Sequence, residues 1–374
     1  MSNEKLEFLY LSEPDMIKAG VLDMKACVEV MEEVFKLMGE GDCLMGGPSG
    51  NAHGIKLWFP EESIGTNMPT AGTDRRFMAM IAYVGGKYNV CGEKWYGSNI
   101  SNRGKGLPRS ILSIMLNDPD TGAPLAHCSG NLVSAMRTGA VPGVAVKYLQ
   151  HQDSSTVGIV GAGVMNKAAL QAIVNNIKTK KLVKIYNRTK SKAENLRDEF
   201  KDLLNIEIQV VDTLEEAIRE SDIISIATAG GENVKIEDAW LKKGALINLV
   251  SAANISEEIY KNSKLVVDNW TMHKDWMEEA LRHPDGLESL SKSLPSKDLL
   301  KYVLKQDVNS KNILNLGDII NNKSDGRLCN NENIIFITGG IPAEDIAWAY
   351  TVYKNAKNMG IGQNLLLWDT PFWA

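Results

Sequence analysis

Residues 156–160 form a short apolar run, and Gly161-Ala162-Gly163 closes it. The run reads as a buried strand, and Val164-Met165-Asn166 as the first turn of a helix. Strand, tight glycine turn and helix start together bring the pyrophosphate of a dinucleotide onto a helix N-terminus, the Rossmann arrangement. Gly161 permits the turn, and Gly163 lets the backbone approach phosphate with no Cβ in the way. Asn166 stands where the third glycine of the fingerprint falls. Strand-to-helix turns also carry glycines for packing alone, so the surrounding pattern has to decide.

A second strand follows at Leu182-Val183-Lys184-Ile185-Tyr186 and leads into Asn187-Arg188-Thr189. NAD-preferring sites carry an acidic residue about 20 residues past the glycines, where it binds the ribose hydroxyls. No carboxylate ends this strand. Arg188 does, and a guanidinium there can stack on adenine and pair with a 2′-phosphate. The expected cofactor is therefore NADP(H), with NAD(H) as the alternative. The simpler reading of Arg188 is an exposed turn residue before a helix from Ser191. The expected cofactor contacts are Gly161, Ala162, Gly163, Val164, Met165, Asn187, Arg188, Thr189, Thr228 and Gly340.

Strand–helix alternation continues with candidate strands at 206–211, 222–227, 245–250 and 264–268, which argues for a doubly wound parallel sheet. Upstream the pattern differs. Residues 12–40 read as helical, with Ser12 capping and Asp15 three residues on. Residues 41–76 are rich in Gly, Pro, Asn and Asp, with one strand-like run at 54–59. Runs at 77–83, 90–96 and 107–116 read as antiparallel strands, with Gly85-Gly86 and Asp118-Pro119-Asp120-Thr121-Gly122 as turns. Residues 131–150 read as a helix kinked or broken at Pro142. The strand 333–338 and the helix 342–359 close the pattern. The expected organisation is an α+β substrate and dimerisation domain, 1–130 with 326–374 returning to it, and a dinucleotide-binding domain, 131–325.

A chain of 374 residues is long enough for both. Its formal net charge of −5 leaves no electrostatic footprint for nucleic acid. No run of about 18 apolar residues exists to cross a membrane, and Met1-Ser2-Asn3-Glu4-Lys5 lacks the regions of a signal peptide. Cys27, Cys43, Cys91, Cys128 and Cys329 are odd in number with no Cys-x-x-Cys pair, as in a cytoplasmic protein with reduced thiols. The histidines are dispersed without metal-ligand spacing, so no metal is expected.

Further motifs occur in order: Lys94-Trp95-Tyr96-Gly97-Ser98, Lys105-Gly106-Leu107-Pro108-Arg109, Leu116-Asn117-Asp118-Pro119-Asp120-Thr121-Gly122-Ala123-Pro124-Leu125, and Ser134-Ala135-Met136-Arg137-Thr138-Gly139-Ala140. With the glycine turn, Leu316-Gly317-Asp318, Phe336-Ile337-Thr338-Gly339-Gly340 and Pro342-Ala343-Glu344-Asp345, the chain resembles the ornithine cyclodeaminase/mu-crystallin family over nearly its whole length. The motifs are closest to those of a subgroup often labelled as a tyramine oxidase component, a label from which no chemistry follows. The resemblance implies a homodimer built through the antiparallel domain. It also implies a nicotinamide cofactor at the domain cleft and hydride transfer to or from an amino acid or imine. By motif, Lys94 corresponds to the active-site lysine and Arg137 to the arginine that binds the substrate carboxylate. A desolvated lysine can exchange a proton near neutral pH, and an arginine clamps a carboxylate through two parallel bonds.

The resemblance implies an aspartate shortly after the strand 245–250, as in cyclodeaminases and several dehydrogenases of the family, and Ala253 stands there. That argues against cyclodeamination, which remains the first alternative. The second is a non-enzymatic protein that binds NADPH and a small carboxylate, as mu-crystallin-like members do. Asn254 is expected to orient substrate. His127, His53 and Glu93 are alternative acids or bases. Thr338-Gly339-Gly340 is either an approach to the nicotinamide or an ordinary turn. Lys105 and Arg109 suggest a second anionic group on the substrate, against a default of a solvated basic loop.

Overall fold

The computed structural model describes residues 5–228, 234–290 and 294–373; most of the N-terminal stretch read against a signal peptide, residues 1–4, lies outside them. The chain groups into two compact units, 1–23 with 41–134 and 341–374, and 24–40 with 135–340. Apart from residues 131–134, which fall in the first unit, this division differs from the expected one at two places, each for a packing reason.

The first difference is the helix Met24–Glu40, which belongs to the second unit. Its apolar stripe, Cys27, Val28, Met31, Val34 and Phe35, is buried. Gly39 and Gly317 approach so closely that a Cβ on Gly39 would strike the Gly317 carbonyl and one on Gly317 the Phe35 carbonyl. Lys147 and Tyr148 both bond Glu32, the lysine at 2.5 Å. The reading of 12–40 as one helical stretch resolves into two helices, Glu13–Lys18 and Met24–Glu40, separated around Gly20 at φ 94°. The capping box at Ser12 and Asp15 is formed.

The second difference is the strand Ile334–Ile337, which lies inside the parallel sheet between Leu246–Leu249 and Lys264–Val267. All four of its residues are buried, as a strand covered on both faces requires. That sheet has eight parallel strands. Its order is Glu207–Val210, Leu182–Tyr186, Thr156–Val160, Ile223–Ile226, Leu246–Leu249, Ile334–Ile337, Lys264–Val267 and Ile313–Asn315. Strand order reverses beside Thr156–Val160, the switch point at which such sheets bind ligands.

The helix Asn131–Leu149 is continuous through Pro142, so of the expected kink or break the break does not occur. Burial on nearly every side holds it. Gly139 and Gly143 let it lie against Ala168 and Ala172 of the helix Val164–Asn176.

The first unit is built on the other eight-stranded sheet. Its central strands, Arg76–Val84, Val90–Ser98, Ser110–Asn117 and Pro124–Ser129, are antiparallel neighbours. Leu6–Leu11 adds parallel to Pro124–Ser129, and Gln363–Trp368 adds antiparallel at the edge. Ile55–Trp58 pairs with Arg76–Val84. The helix Pro342–Met359 packs on one face of this sheet. Among the described residues, no helix is long and apolar enough to cross a membrane.

Candidate active site

Gly161 has φ 99°, and a Cβ on it would strike the carbonyl of Ala227. Only glycine fits there. Gly163 caps the helix Val164–Asn176 without a side chain, and a Cβ on it would meet open space. Open space beside the free N–H groups of a helix start is room for a phosphate. Val164 and Met165 occupy the exposed first turn.

Asn166 has no exposed surface. Its Nδ2 donates to the carbonyls of Val160 and Gly161, both at 2.8 Å, and its Oδ1 accepts from Ser225 Oγ. The side chain at the third-glycine position therefore braces the turn from beneath. Asn187 does so from the side, its Oδ1 accepting from the Ala162 N–H at 3.0 Å while its Nδ2 donates to the Thr189 carbonyl. Arg188 and Thr189 are exposed at the end of the second strand, and among the described residues Arg188 has no ion pair. Thr228 donates its N–H to Ser251 Oγ, and among the described residues its own buried hydroxyl has no hydrogen-bond partner. A buried unpaired hydroxyl costs free energy, so one beside the glycine turn fits a group waiting to be bound.

Arg137 is 5% exposed on the helix Asn131–Leu149. Its guanidinium reaches Gly340, where an added Cβ would come within 2.5 Å of Nη1, and Gly340 has φ 76°. Asp268 fixes that turn. Fully buried at the end of the strand Lys264–Val267, it accepts from Thr338 Oγ1 at 3.1 Å, Gly339 N–H at 2.6 Å and Gly340 N–H at 3.0 Å. Its other oxygen takes the Asn269 N–H and the ring of His273, which in turn meets Ser296 Oγ. Burial alone would raise the Asp268 pKa, but the bonds from His273 and the backbone outweigh it and hold the carboxyl ionised. Thr338-Gly339-Gly340 is thus a braced turn that seats Arg137. Asp268 is absent from the residues expected from sequence, since its partners at 338–340 lie about 70 residues further along the chain.

In the first unit, Lys94 is 1% exposed at the centre of Val90–Ser98. Its Nζ donates to Asp345 Oδ2 at 2.6 Å and to Ser134 Oγ at 3.4 Å. Asp345 is fully buried in the first turn of Pro342–Met359. An ammonium buried this deeply needs such a partner. His127 and Glu93 stand apart from Lys94, because strand register places them with Ile81 and Met115 on the opposite face of the sheet. His53 lies outside the strands.

Asn254 begins a two-residue strand beside Lys235-Ile236, with its side chain in solvent. Ala253 is packed in the apolar core with Ile226, Leu249 and Ile255, so the turn presents no acid.

A model of the ornithine cyclodeaminase/mu-crystallin family matches residues 21–360. N-((2S)-2-amino-2-carboxyethyl)-L-glutamate dehydrogenase of Staphylococcus aureus is 25% identical over 367 residues, 97% of this chain and 99% of its own length. The Δ1-pyrroline-2-carboxylate reductase of Thermococcus litoralis, solved with NADH and L-proline, is 28% identical. It aligns with 96% of this chain and 100% of its own at a TM-score of 0.76. An archaeal alanine dehydrogenase dimer with bound NAD is 26% identical, with 97% and 100% covered and a TM-score of 0.78.

Proposed function

The chain belongs to the ornithine cyclodeaminase/mu-crystallin family, and on that premise we propose that Lys94 and Arg137 serve hydride transfer between an amino acid, or its imine, and a nicotinamide cofactor. The observation that carries the reading is the buried Lys94–Asp345 pair. The open glycine turn and the unpaired Thr228 hydroxyl fit the cofactor, whose nicotinamide supplies or accepts the hydride when bound.

Arg137 holds the substrate carboxylate and so fixes the α-carbon. In reduction the imine carbon receives the hydride and its nitrogen takes a proton from Lys94. In oxidation the amine nitrogen gives that proton back. Asp345 orients the ammonium and keeps its charge balanced. Amino acid dehydrogenases and imine reductases among the relatives support this oxidoreductase reading over a lyase. Ala253 supports it further, since its methyl group can manage no proton, and ornithine should yield at most a trace of proline.

The cofactor is NADP(H) by preference, because Arg188 replaces the strand-end carboxylate; the solved relatives with bound NAD(H) make NAD(H) the competing reading. The protein pairs as a homodimer through the sheet face opposite Lys94. Ile55, Leu57, Phe77, Ile81, Trp95 and Ile111 all stand exposed on that face, and a clustered apolar patch of this kind marks an interaction surface. A monomer by light scattering at micromolar concentration would overturn this.

The reading is tested by following NADPH and NADH oxidation with pyruvate and ammonium, pyruvate and methylamine, and cyclic 2-carboxyimines. Turnover of at least one imine is expected. Tight nucleotide binding with no turnover across the panel would favour the binding-protein reading.

A further inference from the structure

Four strands carry one cross-strand row of polar side chains: Trp58, Arg76, Ser98 and Ser110 are successive partners. The row lies on the same sheet face as Lys94, because Lys94, Tyr96 and Ser98 alternate along one strand. Two steps of two residues separate Lys94 from this row, about 13 Å along the strand. The row between them holds Lys56 and Tyr96.

At the far row, Arg76 is sandwiched. Its guanidinium carbon lies 5.2 Å from the Trp58 ring centre and 5.4 Å from that of Tyr96. Asp74, itself nearly buried, bonds both Arg76 and Arg109, the latter at 2.5 Å, and also accepts from Ser98 Oγ. Tyr96 and Ser110 share a hydrogen bond of 2.8 Å. Among the described residues neither arginine has a second acidic partner, so two guanidiniums share one carboxylate. Burial draws the Arg76 guanidinium below its ordinary pKa, and Arg109 acts in the same sense. A largely buried cation without a full counter-charge is costly unless an anion completes it.

We propose that Arg76, with Arg109 beside it, is a subsite for a second carboxylate of the substrate. The substrate is then an amino acid or imine whose second acid lies several bonds from the reacting carbon. This rests on Lys94 marking the reacting end. The competing role is an Arg–Asp–Arg clamp that only pins residues 59–75 to the sheet.

The two roles part in calorimetry on the full-length, nucleotide-saturated protein, with L-norleucine, L-glutamate, L-2-aminoadipate and L-2-aminopimelate as probes. The subsite requires affinity to climb with the reach of the second acid, to roughly tenfold to a hundredfold over norleucine. Arg76→Met should collapse that ratio. Asp74→Asn, which releases both guanidiniums, should enlarge it. A pure clamp has Asp74→Asn and Arg76→Met both lower thermal stability and leaves the ratio where it was. Equal affinity for norleucine and the diacids in the wild type, or no binding of any diacid, overturns the subsite. So does a smaller ratio in Asp74→Asn, which also decides the matter if Arg76→Met fails to fold. The hydride-transfer reading fails separately, on absence of nucleotide turnover in the imine screen.

Discussion

The central strands of the parallel sheet are buried on both faces, whereas the sheet that carries Lys94 buries one face and leaves aromatic and aliphatic side chains on the other. The contrast extends to how each holds its functional groups. The glycine turn is braced by Asn166 and Asn187, each within about one strand–helix step of it. Lys94 is positioned by Asp345, 251 residues away. The turn proposed for the cofactor is therefore braced locally, and the lysine proposed to act on the substrate is positioned over long range. Substitutions should respect that difference, and the largest effects should fall on the long-range pair.

Lys94→Ala should lower kcat by ~10²–10⁴ on a confirmed imine while leaving nucleotide affinity nearly unchanged. Full turnover would remove Lys94 from the proton path. Asp345→Asn removes the charge 2.6 Å from the ammonium. Breaking a buried pair in this way should cost about 3–5 kcal/mol of stability, read by denaturant titration. A change of only a few tenths would mean that Asp345 does not anchor Lys94, and the contrast between the units would weaken.

The same contrast governs what is legible in the sequence. The Rossmann half is legible because a strand buried on both sides is a continuous apolar word, and because Gly161 has no substitute at φ 99°. The strand Ile334–Ile337 is equally legible as a strand. Its place between two strands separated from it by many residues is not, because sequence gives no register between distant segments. The same limit hid the helix Met24–Glu40, whose apolar stripe says that it packs but not on what. Lys94 and Arg137 are found through motif resemblance. Asp345 stands inside a quoted motif, yet only the fold brings it to Lys94. Asp268 has no motif of its own and emerges only with the turn it holds.

Arg137→Leu should raise KM for an α-carboxylated imine about a hundredfold, as expected for a lost bidentate contact. Gly340→Ala should act in the same direction, since its methyl would strike the Arg137 guanidinium. If Gly340→Ala leaves KM untouched while Arg137→Leu raises it, the turn does not seat the arginine.

Asp222 breaks the simple contrast, because it is a long-range brace inside the parallel unit. It accepts from the Ser155 and Thr156 N–H groups and pairs with Lys242 at 2.5 Å, with His151 at 3.0 Å on the same oxygen. Burial would raise its pKa, but Lys242 and the backbone donors pull it down from 3.8 to about 2. A folded pKa below the unfolded one stabilises above the unfolded value, and the contribution fades as pH falls towards 2. Asp222→Asn should therefore cost roughly 2 kcal/mol at pH 7. That difference should shrink between pH 4 and pH 2. A cost independent of pH over that window would assign the loss to packing rather than charge.

The smallest effect belongs to Arg188, and it sharpens the comparison most directly. If cofactor recognition is local, one exposed side chain at the end of the second strand sets the choice of nucleotide. Arg188 is in solvent, so a 2′-phosphate there gains a partly screened contact worth about tenfold in affinity, short of a buried clamp. Arg188→Ala should weaken NADPH by about that factor and leave NADH within a factor of about two. The loss should also diminish as salt is raised, since screening acts on the charge and not on the shape of the site. Tighter binding of NADH than NADPH in the wild type would instead place this chain with the relatives solved with NAD(H), and Arg188 would then be the exposed turn residue of the simpler reading.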